Sequence, residues 1–184
     1  MNRFAVITPV PIIIETLIEN SIIKKAIINK TIEFSVVNLR EYGIGNYKQI
    51  DDTPFGGGNG MIMMPEPLSQ AIDDTISWMG KNTVDVIYPS PQGELWNQEK
   101  AVSYSFEKNI IMICGHYKGI DERIIKKYVT NEYSIGNFIM TNGEIPSMII
   151  LDSIIRLIPG TLNNLKSAQT DSFSDNLLDY PHYT

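Results

Sequence analysis

At 184 residues, 43 % hydrophobic and 20 % charged, the chain can bury a real core in one domain and is not a disordered tract. A net charge of −6 argues against broad non-specific nucleic-acid binding, which needs Lys and Arg to neutralise phosphates, but it leaves room for a local basic patch. The single cysteine excludes an internal disulfide, and no apolar run approaches the roughly 20 residues of a membrane span, so a cytoplasmic protein without a membrane segment is expected.

The elements follow in order. "RFAVIT" (3–8) is rich in β-formers and predicts a buried strand rather than a signal peptide, since Pro9 and Pro11 interrupt the apolar stretch and no small-residue cleavage site follows. Residues 11–30 predict helical turns broken near Ser21, which can cap the second piece. "TIEFSVVNL" (31–39) is a second strand, and 40–60 a long glycine-bearing loop. "MIMM" resumes a strand, and 65–79 is a helix with proline at its start. Strands at 84–88, 109–114 and 132–136 alternate with helices at 97–107, 119–129 and 143–158. Such alternation predicts an α/β fold with a mostly parallel sheet flanked by helices. From 161 to 184 the chain is polar and irregular and reads as a linker following a domain over 1–160.

"DDTPFGGGNGM" (51–61) raises the question of what approaches a backbone bare of side chains. It lacks the Lys-Ser/Thr of a P-loop and does not open a helix as a dinucleotide fingerprint does. Glycine-bearing turns also follow the strands: "YPSPQG" (88–93), "CGHYKG" (114–119) and "SIGNFIMTNG" (134–143). Glycine often merely ends strands and caps helices. Three such turns at carboxyl ends of strands can also converge on a crevice for a flat organic ligand held by backbone groups. Arg156 follows Asp152 by four residues, the spacing of an ordinary surface pair, and Asp171 among Ser and Thr fits a turn or N-cap. His116 and His182 with one distant cysteine make no metal site.

In order along the chain, "DDTPFGGGNGM", "SPQG", "CGHYKGIDER", "SIGNFIMTNGEIP", "RLIPG", "SAQTDSF" and "YPHYT" resemble the bacterial tRNA (guanine-N(1))-methyltransferases of the TrmD type, in the SPOUT superfamily. The resemblance implies a deep C-terminal trefoil knot, rare among folds. It also implies S-adenosylmethionine as cofactor, bound at Tyr88, Pro89, Ser90, Pro91, Gln92 and Gly93, then at Gly115 and Tyr117. The third turn contributes Ser134, Ile135, Gly136, Asn137, Phe138, Ile139, Met140, Gly143 and, just beyond it, Pro146. The implied assembly is a homodimer with each active site between subunits, acting on the guanine immediately 3′ of the tRNA anticodon, position 37. Asp171, reaching in from the partner, is the implied general base and Arg156 the group that stabilises the guanine oxygen. Gly57, Gly58, Asn59 and Lys118 are the implied tRNA contacts. A magnesium dependence is implied by the family alone.

The chain departs from the family pattern at several points. Thr53 stands where arginine is usual, Asn59 where proline is, and His116 and Lys118 where the "GRYEG" turn has arginine and glutamate. Asn137 replaces an aspartate and Asn142 a glycine. The family continues past "PHYT" into a small helical domain, so a chain ending at Thr184 is expected to grip tRNA less firmly. Two other readings stay open: a dimeric cofactor-binding module that does not turn over tRNA, and a SPOUT enzyme acting on another RNA.

Overall fold

The computed structural model describes residues 1–80, 83–106, 108–162, 172, 173, 178, 180, 181 and 183. Asp171 and His182 lie outside the described residues, as does most of the segment read as a linker.

Strands β1 (Asn2–Thr8), β2 (Ile32–Asn38), β5 (Val84–Leu95), β6 (Asn109–Ile113) and β7 (Asn131–Ser134) form one sheet in the order β2-β1-β6-β5-β7. Every pairing in it is parallel, so all the carboxyl ends share one edge. Helices α1 (Pro11–Glu19), α2 (Ile22–Ile28), α4 (Gln98–Tyr104) and α6 (Glu144–Ile155) connect or flank these strands, as do α3 (Pro65–Met79) and α5 (Glu122–Tyr128). The sheet explains why "RFAVIT" shows no clean alternation. Phe4 and Val6 enter a core with Ile14, Ile23, Leu151 and Ile154, whereas Ala5 and Ile7 enter one with Leu68, Ile72 and Ile124. With both faces covered, a strand has no polar side.

Local chemistry sets the element ends. The Ser21 hydroxyl accepts from the Ile23 N–H and starts α2, the break expected from the sequence. Asn97 and Asp121 cap α4 and α5 in the same manner. Near β7, the Trp96 indole donates to Ser153 Oγ at 2.9 Å and its ring meets Tyr133 edge-on, tying β5 and β7 to α6.

Two expectations change. "YPSPQG" does not end its strand: β5 runs on to Leu95, but its register against β7 slips, with both Pro89 and Glu94 opposite Tyr133. The intervening residues bulge out as a loop. "MIMM" makes only a two-residue β4 (Ile62–Met63), paired antiparallel with β3 (Asp51–Asp52). Its other edge meets the turn after β6: the Lys118 N–H donates to the Met61 carbonyl and the Met63 N–H to the Gly119 carbonyl, both at 3.0 Å.

After β7 the chain returns across the end of β6. The Gly143 N–H donates to the Gly115 carbonyl at 2.8 Å, and a Cβ built on Gly143 would lie 2.6 Å from the Gly115 nitrogen. No side chain fits that crossing. It lets α6 begin directly beneath the carboxyl end of the sheet.

Candidate functional site

The bulge within β5 and the turns after β6 and β7 border a cavity of about 350 Å³. That volume lies within the roughly 300–1,000 Å³ of small-molecule sites. Tyr88, Pro89, Ser90 and Pro91 line it from the β5 bulge, Gly115 and Tyr117 from the β6 turn. Ser134, Ile135, Gly136, Phe138, Ile139, Met140, Gly143 and Pro146 close it from the returning segment. The three turns singled out in the sequence therefore converge.

Tyr88 organises the floor. Its ring lies so close to the β6 turn that a Cβ on Gly115 would come 2.8 Å from its Cε2 and hydroxyl. Burial, then the nearby Glu132 charge, pushes the Tyr88 phenol up, while a hydrogen bond at the Ile120 backbone pulls it back down. The phenol therefore stays neutral, and its ring forms a flat wall of the cavity. In the returning segment Ser134 Oγ donates to the Gly136 carbonyl at 3.1 Å, and the Phe138 N–H donates to the same oxygen at 3.0 Å. These bonds curl residues 134–138 into a tight arch whose backbone borders the cavity.

Three of the residues named for this crevice do not line it. Gln92 and Asn137 are exposed and stand outside the lining. Gly93 packs on the backbone of β7 instead, where a Cβ would lie 2.4 Å from the Glu132 carbonyl carbon and the Tyr133 nitrogen. A side chain there would strike the β7 backbone, so the bulge itself requires glycine. Conversely, His116, Gly119, Tyr133, Thr141 and Asn142 line the cavity without having been named for it. His116 and Asn142 stood out in the sequence only as departures from the family pattern. Glu144, just behind the wall, is buried and pairs with His116; its one sequence signal is an acid opening a mostly apolar helix.

Lys118, named as an RNA contact, is on the cavity rim, and its side chain lies along Gly60. Gly57, Gly58 and Asn59 lie outside the lining and are exposed. Arg156 forms the C-cap of α6, about 15 Å along the helix axis from Pro146 at the cavity. It is not among the residues that line the cavity. Among the described residues no group of three or more His, Cys, Asp or Glu side chains could hold a metal ion, and no described helix is long and apolar enough to cross a membrane.

The groups around the cavity suit S-adenosylmethionine. Aromatic and proline faces can flank an adenine, and close-packed backbone offers hydrogen bonds that side chains at Gly115 or Gly143 would block.

Comparison with known proteins agrees. A family model described as tRNA (Guanine-1)-methyltransferase TrmD matches residues 2–184. The tRNA (guanine-N(1)-)-methyltransferase of Clostridioides difficile strain 630 is 46 % identical over 182 residues, 99 % of this chain and 79 % of the relative. That of Christiangramia forsetii is 48 % identical, again over 99 % of this chain and 80 % of the relative. The crystal structure of tRNA (m1G37) methyltransferase from Aquifex aeolicus superposes with a TM-score of 0.81 at 37 % identity, covering 99 % of this chain and 75 % of that one. The chain therefore belongs to the TrmD family of tRNA (guanine-1)-methyltransferases.

Proposed function

We propose that this chain transfers a methyl group from S-adenosylmethionine to N1 of guanine 37 in tRNA. The observation that carries the reading is the cavity walled by three glycine-bearing turns at the carboxyl edge of a parallel sheet, in a chain of this family. Domain 1–160 then holds the catalytic fold, with 161–184 as a linker. The tight crossing of Gly143 over Gly115 supports a trefoil knot there.

When bound, S-adenosylmethionine supplies a methyl group that is already electrophilic on its sulfonium. The protein's work is positioning and proton transfer. Tyr88, Pro89 and Phe138 would hold the flat end of the cofactor, and the 134–140 backbone would take its polar edges. Guanine N1 carries a proton at neutral pH and is a poor nucleophile. Asp171 accepts that proton, a contribution of roughly 10²–10⁴ in rate. Negative charge then grows on the guanine oxygen, where the Arg156 guanidinium stabilises it. Gly57, Gly58, Asn59 and Lys118 contact the RNA as the base leaves its stack, a cost of about a few kcal/mol.

The distance of Arg156 from its own cavity favours a site completed by a second subunit. So does the apolar surface around it. Phe138 and Ile139 are exposed at the cavity rim, and Ile145 and Ile149 expose one face of α6. A homodimer would bury them and bring Asp171 of one protomer to the cavity of the other. The setting of such tRNA chemistry is the cytoplasm.

Labelled cofactor offered with tRNA transcripts carrying guanosine or adenosine at position 37 tests the reaction. Label on the guanosine transcript alone is the expected result. Cofactor binding with label on neither transcript would overturn it in favour of a binding module, and label on both would place the methyl at a nucleotide other than guanosine 37.

A further inference from the structure

Behind the cavity wall lies a polar cluster with no part in the chemistry above. Glu144 is 0 % exposed at the start of α6. Its Oε1 accepts from Thr8 Oγ1 at 2.5 Å and pairs with His116 Nε2 at 2.7 Å, while Oε2 is buried with no hydrogen-bond partner among the described residues. Burial pushes this carboxyl up, but the bonds from His116 and Thr8, together with the imidazole charge, outweigh it and hold the group below its ordinary value.

An ionised carboxylate in such a place has consequences for its neighbours. Removing one partner of a buried charge leaves the other uncompensated, so whatever the pair holds in place loosens. The cluster ties together the end of β1, the turn after β6 and the start of α6. The last two are the strands of the crossing where Gly143 bonds Gly115, and the His116 ring itself borders the cavity at 14 % side-chain exposure. From the other side, the His116 N–H rests on Met63 Sδ at 3.1 Å, so the turn is held front and back.

We infer that Glu144 is a positioning residue for cofactor binding: through His116 and Thr8 it clamps the 115–119 turn against 142–144 and so fixes the width of the cavity. This rests on the assignment of that cavity to S-adenosylmethionine. A carboxylate suits the task because it only accepts and can take a hydroxyl and a ring N–H at once. The imidazole serves one of its oxygens. A guanidinium presents parallel donors and can serve both, so arginine at position 116 should replace histidine without loss.

The test compares the wild type with Glu144→Gln, His116→Gln, His116→Arg and Thr8→Val, the last a near-isosteric change that keeps the carboxylate. Calorimetry measures the Kd for S-adenosylmethionine, and hydrogen exchange measures the Gly143 amide in the cofactor-free protein. Glu144→Gln and His116→Gln should each raise Kd and speed Gly143 exchange by about tenfold, the scale of a lost charged hydrogen bond. Thr8→Val should shift both by about threefold, and His116→Arg should stay within about threefold of wild type. Wild type that binds no cofactor would overturn the assignment of the cavity itself. Wild type that binds, with Glu144→Gln and Thr8→Val lowering Tm but moving neither Kd nor Gly143 exchange, would overturn the positioning role alone. A His116→Arg variant as weak as His116→Gln would also overturn it.

Discussion

Gly56, Gly57 and Gly58 of the loop and Gly115 and Gly143 of the cavity wall meet opposite constraints. Gly56, Gly57 and Gly58 have φ of 86°, 89° and 120°, and a Cβ on any of them would meet nothing within 4 Å. Space is plentiful there; the backbone conformation excludes ordinary side chains. Gly143 has φ of −86°, open to any residue, but its Cβ would strike the Gly115 nitrogen at 2.6 Å. A run of glycines in a sequence therefore does not say whether crowding or chirality selected it. The first kind suits a loop that must take an unusual path in the open, the second a wall built from chain packed on chain.

Substitutions separate the two. Gly143→Ala should act most strongly, since its obstacle is backbone and cannot swing aside. We expect at least ~2 kcal/mol of lost stability by urea titration, near the upper range of overpacking, together with lost cofactor binding. Asparagine there should be worse than alanine. At Gly57 the order should reverse, because Asn tolerates left-handed backbone better than Ala.

Asp171→Asn probes use of the wall rather than its construction. Single-turnover methyl transfer should fall by roughly 10²-fold or more, with cofactor Kd unchanged by calorimetry. Near-equal rates would return Asp171 to the capping role that its Ser and Thr neighbours suggest. For Gly57→Ala we expect a smaller change, with about 1–2 kcal/mol of local strain. Its transfer rate to tRNA should drop by about tenfold, while Tm and cofactor Kd stay near wild type. A shifted cofactor Kd would mean that the loop and the cavity are one unit after all, coupled through the Lys118 and Gly119 bonds to Met61 and Met63.

The smallest effect is on acid stability. The Glu144 carboxyl lies below its ordinary value in the folded chain, so its contribution is fully present above the unfolded value of about 4.3 and is lost as pH falls through the folded one. Its neighbours are His116, Thr8 and the Cys114 thiol, the last pushed up by burial and then by the Glu144 charge. The gap in Tm between wild type and Glu144→Gln should therefore narrow as pH falls below the ordinary carboxylate range. A gap constant down to pH ~2 would contradict the ionised state.

The alternation of strands and helices, the break at Ser21 and the three glycine-bearing segments that meet at the cavity were legible from neighbouring residues alone. Those features depend on local propensity and hydrophobic period, which neighbouring residues carry among themselves. The ordered motifs carried the family. Which residues touch across those turns was a tertiary outcome. Tyr88 lies over Gly115 because β5 and β6 are adjacent in the sheet, and Gly93 belongs to the bulge against β7 because the register slips there. Thr8, His116 and Glu144 are 108 and 28 positions apart in successive steps along the chain, and nothing in their flanking residues points each to the others. Only the parallel order that gathers the carboxyl ends of the strands, and the crossing that starts α6 beneath them, brings the hydroxyl, the imidazole and the carboxylate into one cluster.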